Sequence, residues 1–275
     1  MPDLHLSDLE TAQLRAILDS RKYRQLQIPE ATVLALYHQA ILNGQPPRDA
    51  LKTVRKKLHN IVAPYLGEPD FDQAAADLDT AFRSSDPAAI LATCSKILQS
   101  HASTRERLAI LPNFYPRLFS LTGMPAVILD LACGLNPFAF RWMGLPNTTS
   151  YYAYDLNLPR IKLINHYFSL EGLKPHAAHR DILLDPPEIH GDVAFLFKEA
   201  HRLEQRQRGC NKTLWEAIKV RWLLISLPTE SLSGKHDLLG KHRRLVEETC
   251  LGQPWQIQEI PFPGEIVFCI DKGGK

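Results

Sequence analysis

From residue 126 onwards, short apolar runs recur with longer segments of helical character between them. They are AVILD (126–130), YYAYD (151–155), VAFLF (193–197), WLLISL (222–227), QIQEI (256–260) and EIVFCI (265–270), with a weaker run before Asp181. Parallel strands need a crossover of a dozen or more residues, usually a helix, to bring the chain back in the same direction. This spacing therefore predicts a mostly parallel α/β sheet. The last two runs are joined by PFPG (261–264), a turn that suits an antiparallel hairpin at the sheet edge.

Upstream the pattern changes. Spaced apolar positions predict helices over 9–18, 31–41, 51–63, 71–82 and 87–98, punctuated by residues such as Asp70 and Ser85. A further helix over 113–125 ends before Pro125, because the residue preceding proline disfavours helical geometry. We divide the chain into a helical domain, 1–105, and an α/β domain, 106–275. At 45% hydrophobic, 275 residues can bury a substantial core, and a net charge of +2 neither demands nor forbids nucleic acid. The five cysteines form no CxxC and no zinc-ligand spacing, so reduced thiols and no metal site are expected. The opening MPDLHLSDLE lacks a signal pattern, and no apolar run approaches membrane-spanning length. These features predict a cytoplasmic protein.

The segment DLACGLNP (130–137) closes the first strand and opens a loop. In open α/β sheets, ligands bind beyond the carboxyl ends of strands. Gly134 permits a tight turn, and Pro137 can begin a helix. Neither GxGxxG nor a P-loop is present, which argues against a dinucleotide or a nucleoside triphosphate. A nucleoside with an amino-acid tail, such as S-adenosylmethionine, suits the loop better. Asp130 then lies near the tail's ammonium group. Asp155 ends the second strand, where a carboxylate can accept from ribose hydroxyls, and Asp181 with Ile182 follows the third, where adenine rests.

HASTRERL (101–108), DLACGLNP (130–137), FLFK (195–198), LEQRQRG (203–209) and LPTESL (227–232) occur in the order found in one family. By these motifs the chain resembles the aminoglycoside-resistance methyltransferases of 16S ribosomal RNA, which methylate N7 of a decoding-centre guanine. The resemblance implies a Rossmann-like class I fold with an N-terminal helical RNA-binding domain. It implies S-adenosyl-L-methionine as cofactor, S-adenosyl-L-homocysteine as product, and the assembled 30S subunit as partner, with neither DNA nor membrane involved and the enzyme a monomer. It places His101, Ser103 and Arg107 beside the cofactor, with Arg107 paired to the methionine carboxylate. The expected cofactor set is completed by Ala132, Gly134, Asn136, Pro137, Leu156, Phe197 and Lys198. Lys198 and Glu265 are the expected catalytic residues, and Ser231, Lys235 and His236 join Glu265 near the base. The segment SLSGKHDLLGKHRRLVEE (231–248) departs from the family, lacking its Gly-Met and its aromatic.

Three basic clusters fit phosphate contacts: Arg21, Lys22 and Arg24; Lys52, Arg55, Lys56 and Lys57; and Lys241, His242, Arg243 and Arg244. For each cluster alone, a solvated helix face is the simpler explanation. Two alternatives to guanine-N7 methylation remain open at this level. One is another RNA nucleotide, such as adenine N1. The other is a protein that binds cofactor and ribosome without transferring a methyl group.

Overall fold

The computed structural model describes residues 7–62, 68–229 and 238–273. The helical part opens with α1 (Asp8–Leu18), α2 (Glu30–Leu42) and α3 (Pro47–Val62). The Ser7 side chain caps α1 in a reciprocal box with Glu10, satisfying amides that the first helical turn leaves unpaired. Next come α4 (Phe71–Ser84), α5 (Pro87–Ser100), the single turn α6 (Ala102–Arg105) and α7 (Leu111–Thr122). Asp70 and Asp86 cap α4 and α5, and Ser85 ends α4 in a left-handed conformation.

The α/β part alternates β1 (Val127–Leu131), the short α8 (Phe140–Met143), β2 (Ser150–Asp155), α9 (Leu158–Glu171), β3 (Ala177–His179) and β4 (Gly191–Phe197). It continues with α10 (Ala200–Arg206), α11 (Cys210–Ala217), β5 (Val220–Pro228), α12 (Leu239–Cys250), β6 (Gln256–Phe262) and β7 (Glu265–Asp271). The sheet order is β3-β2-β1-β4-β5-β7-β6. Strands β1 to β5 pair in parallel, and β7 is antiparallel to both β5 and β6, as the PFPG turn predicts. Strand order reverses between β1 and β4, so the ligand crevice belongs at their carboxyl ends.

Successive side chains of the central strands serve opposite faces. Ile128, Phe195 and Phe197 join α4, α5, α7 and α9 on one face, and Leu129, Leu131, Ala194 and Leu196 join α10, α11 and α12 on the other. A third core, formed by Leu14, Val33, Leu36, Tyr37, Val54 and Leu58 among others, belongs to α1–α3. The apolar contacts thus divide between α3 and α4. Helices α4–α7 look like the preceding helices in sequence, but Ala74, Leu78, Ile97 and Phe114 spend their apolar faces on the sheet. No helix of the described residues is long and apolar enough to cross a membrane.

Gly191 begins β4 where space is short: a Cβ there would stand 2.4 Å from Leu129 Cδ1 and 3.4 Å from the Val127 carbonyl. Gly191→Ala should therefore destabilise the protein by about 1–3 kcal/mol through overpacking, read as a lowered midpoint in urea unfolding.

Candidate functional site

Two non-glycine residues take left-handed backbone at the strand ends that flank the crevice: Ala132 (φ 51) after β1 and Lys198 (φ 60) after β4. Such geometry costs free energy and persists only where the surroundings enforce it. Gly134 (φ 55) supplies the remaining turn, and its amide donates to Asp155 Oδ2 at 3.0 Å. Pro137 lies in a short 3-10 turn, Asn136–Ala139, as its place in the loop suggests.

Behind the loop lies a closed polar network. Arg107 donates from Nε to Glu265 Oε1 at 2.8 Å and from Nη2 to Glu265 Oε2 at 2.9 Å. Its other contacts are Asn136 Oδ1 (3.1 Å) and Ser226 Oγ (3.3 Å), and the guanidinium carbon lies 4.5 and 4.6 Å from the ring centres of Phe114 and Phe197, which themselves meet edge to face. Asn136 and the Tyr151 hydroxyl both donate to Asp130 Oδ2, at 2.9 and 2.7 Å. Burial works to raise the Glu265 carboxyl, but the Arg107 charge outweighs it and holds the group below its ordinary range. Asp130 lacks so close a cation. Burial pushes its carboxyl up to about 7, despite the hydrogen bonds from Asn136 and Tyr151. Lys198 reaches Glu106 Oε2 at 2.6 Å and lies 3.9 Å from Glu265 Oε2. His101, beside Gly134, meets Ser103 Oγ at 2.8 Å, and burial holds its imidazole down to about 3, neutral at physiological pH.

A cavity of about 300 Å³ opens in front of this network, between α1–α3 and the sheet. Four expected cofactor residues line it: Ala132, Asp155, Leu156 and Ile182. Asp155 accepts from the Gly134 and Asn157 amides and from Arg160 Nη1 (2.8 Å). A carboxylate offers about four acceptor positions, so one remains on Oδ1 for a hydroxyl. Leu156, Ile182 and Leu203 supply apolar surface for a flat ring.

Other expectations meet a different geometry. Glu265 was expected at the substrate base, but it is 2% exposed with both oxygens on Arg107, so it anchors the network. Arg107 and Asp130 were expected to meet the cofactor's tail directly. Their side chains are instead saturated or enclosed within that network. Both Asp181 oxygens are taken by Arg206, with Thr32 of α2 and the Leu183 amide adding further donors. The carboxylate thus braces the turn that presents Ile182 to the cavity.

Among the basic residues, Arg21, Lys22, Arg24, Arg55, Lys56 and Arg244 are exposed as expected. Lys52 pairs with Asp49, and Arg243 with Glu259. Lys57 is half-buried, donating to Gln39 Oε1 and to the Arg206 carbonyl across to α10, so it joins the two parts of the chain. Ser231, Lys235 and His236 lie outside the described residues. Sequence reasoning missed Glu68, Arg160, Glu199 and Arg202, all on the cavity wall. Glu199 could have been found as the residue after Lys198 at the β4 end. Burial raises its carboxyl to about 7, with Arg202 opposing.

The sequence profile of a family described as "Ribosomal RNA methyltransferase (FmrO)" matches residues 19–268. A Frankia casuarinae protein named "16S rRNA (guanine(1405)-N(7))-methyltransferase" is 31% identical, covering 91% of this chain and 89% of its own. A Serratia marcescens protein of the same name is 30% identical over 95% of this chain and 98% of its own. The solved structure of the 16S rRNA methyltransferase RmtF in complex with S-adenosyl-L-homocysteine superposes with a TM-score of 0.81 at 26% identity, covering 98% of this chain and 100% of its own. That of the 16S rRNA methylase RmtB gives 0.77 at 27% identity, covering 96% and 98%.

The buried network makes two predictions. Glu265→Ala strips the counter-charge from a buried guanidinium and should cost about 3–5 kcal/mol of unfolding free energy in urea titration. Folded Asp130 keeps its proton up to about pH 7, whereas the unfolded chain releases it near 4. Its contribution is therefore full below about pH 4 and is lost as pH rises through about 7. Asp130→Asn keeps an acceptor for Asn136 and Tyr151 and removes that titration. The variant should gain stability relative to the unaltered protein between pH 5 and 8, on the order of 2 kcal/mol, in unfolding titrations at both values.

Proposed function

Because the chain belongs to the FmrO family of ribosomal RNA methyltransferases, we propose how its residues divide the work of methylating N7 of a guanine in 16S rRNA. The chain is an S-adenosylmethionine-dependent 16S rRNA (guanine-N7) methyltransferase. Its substrate in our reading is the decoding-centre guanine of the assembled 30S subunit, in the cytoplasm, and the added methyl group and charge disfavour aminoglycoside binding there. The observation that carries the site assignment is the Asp155 carboxylate. It ends β2, faces the cavity, and keeps one acceptor position beside the loop of Ala132 and Gly134.

The donor set fits the cofactor. Asp155 would accept a ribose hydroxyl, and Leu156, Ile182 and Leu203 would offer adenine an apolar surface. The network of Arg107, Asn136 and Glu265 holds the loop against which the methionine end lies. Bound S-adenosylmethionine supplies an electrophilic methyl group on a positively charged sulfur.

Guanine N7 bears an in-plane lone pair and no proton, so its attack needs no general base. The protein's task is alignment and exclusion of water. Proximity and orientation can supply up to about 7–11 kcal/mol of a barrier. The strained backbone at Lys198 fixes the end of β4, where the target base must reach the crevice after leaving its stack. Glu106 and Glu265 hold the Lys198 ammonium at that strand end. The exposed cations of α3 and of the Arg21–Arg24 segment position the RNA through phosphates, recognising shape rather than sequence.

The test is methyl-labelled cofactor with 30S subunits lacking the modification, followed by cleavage at N7-methylguanine and primer extension. Label at one decoding-centre guanine is the expected result, and label elsewhere overturns the target. Asp155→Asn should weaken S-adenosylhomocysteine binding about ten- to hundredfold in calorimetry, the loss of one charge-assisted hydrogen bond.

A further inference from the structure

Glu68 precedes α4, in the stretch of chain that follows α3. Its carboxylate Oε1 accepts from Arg160 Nη2, while Arg160 Nη1 donates to Asp155 Oδ2 at 2.8 Å. One guanidinium therefore bridges two carboxylates, with one nitrogen on each. All three residues line the cavity, and the Arg160 side chain is 3% exposed. From this bridge we infer that Glu68 is a positioning residue for the cofactor's ribose, acting through Arg160 on Asp155. The inference rests on Asp155 as the ribose acceptor.

The physical argument concerns the acceptor positions of Asp155. The Gly134 and Asn157 amides occupy one each, and Arg160 occupies a third through a single nitrogen. The fourth, on Oδ1, is what a ribose hydroxyl requires. A guanidinium facing a lone carboxylate prefers a parallel two-nitrogen fork. Glu68 holds the second nitrogen away and so prevents that fork from closing on Asp155. Without Glu68, Arg160 turns both nitrogens onto Asp155 and fills the position the hydroxyl needs. The carboxylate that belongs to the junction of α3 and α4 is thereby part of the nucleoside site, although no atom of it need touch the cofactor.

The experiment uses the full-length protein with Glu68→Ala, Glu68→Gln and Arg160→Lys, beside Asp155→Asn. S-adenosylhomocysteine affinity is measured by calorimetry, and initial rates are measured against cofactor concentration with 30S subunits held saturating. Glu68→Ala should raise the cofactor Kd and KM by about tenfold, with kcat within about twofold. Glu68→Gln, whose amide oxygen can still accept from Arg160, should recover much of that loss. Arg160→Lys should resemble Glu68→Ala, since a single ammonium cannot span both carboxylates in the same geometry. Unchanged affinity in Glu68→Ala while Asp155→Asn binds weakly overturns the inference alone. Equal losses in kcat and thermal midpoint for the alanine and glutamine variants, with no rise in KM, assign Glu68 a structural role and also overturn it. If Asp155→Asn retains full affinity, the ribose assignment fails and the inference falls with it.

Discussion

The Arg107–Glu265 pair is the interaction on which the site's architecture depends. It joins the loop between α6 and α7 to the first residue of β7, 158 positions away. Through Asn136 and Ser226 it also reaches the β1 loop and β5. A buried guanidinium is tolerable only when its charge is compensated and its N–H groups are hydrogen-bonded. Glu265 answers the charge with a two-nitrogen fork, and the rings of Phe114 and Phe197 pack against the guanidinium. The pair therefore specifies where four segments meet. The left-handed backbone at Ala132 and Lys198 lies at the ends of the neighbouring strands β1 and β4, and the Lys198 amide donates to the Ser226 carbonyl of β5.

Charge is partitioned around that anchor. Behind the loop, Asp130 sits without a close cation and is raised by its burial, while Glu265 is lowered by the cation it contacts. In front, the cavity wall carries Lys22, Lys57, Arg160, Arg180, Arg202 and Arg206 against Glu68, Asp155 and Glu199. Among the described residues, six cations against three carboxylates give this wall a positive balance, even though the whole chain carries only +2. The helical unit α1–α3 contributes to this wall and is tied to the sheet by Thr32 on Asp181 and Lys57 on the Arg206 carbonyl. The α1–α3 unit and the elements around the cavity are consequently tied into one structure.

Much of this was legible in the chain itself. Strand positions follow from apolar runs because buried parallel strands need both faces apolar. The edge hairpin follows from PFPG, and the cofactor loop from Gly134 and the acidic residues that end successive strands. What was not legible is which apolar face meets which partner. Helices α4 and α5 carry the same periodicity whether they pack on α3 or on the sheet, so the chain pattern does not say which core they join. For the same reason Lys57, next to Lys56 in the chain, is read as a phosphate contact: no local pattern says whether α10 lies against it.

The sequence by itself determined the α/β class, the order of elements, the family motifs and the positions of Asp155 and Ile182 at strand ends, where a cavity opens. All of these depend on local periodicity, or on residue types at the ends of elements close along the chain. Only the tertiary structure decided what Arg107, Glu265, Asp130 and Asp181 do. It closed the first two on each other across 158 positions, enclosed the third, and saturated the fourth with Arg206 and a threonine from α2. It likewise brought Glu68 to Arg160 across 92 positions. The reason is physical: a carboxylate's role is set by the cation or amide that folding places beside it, and no local pattern encodes a partner that distant.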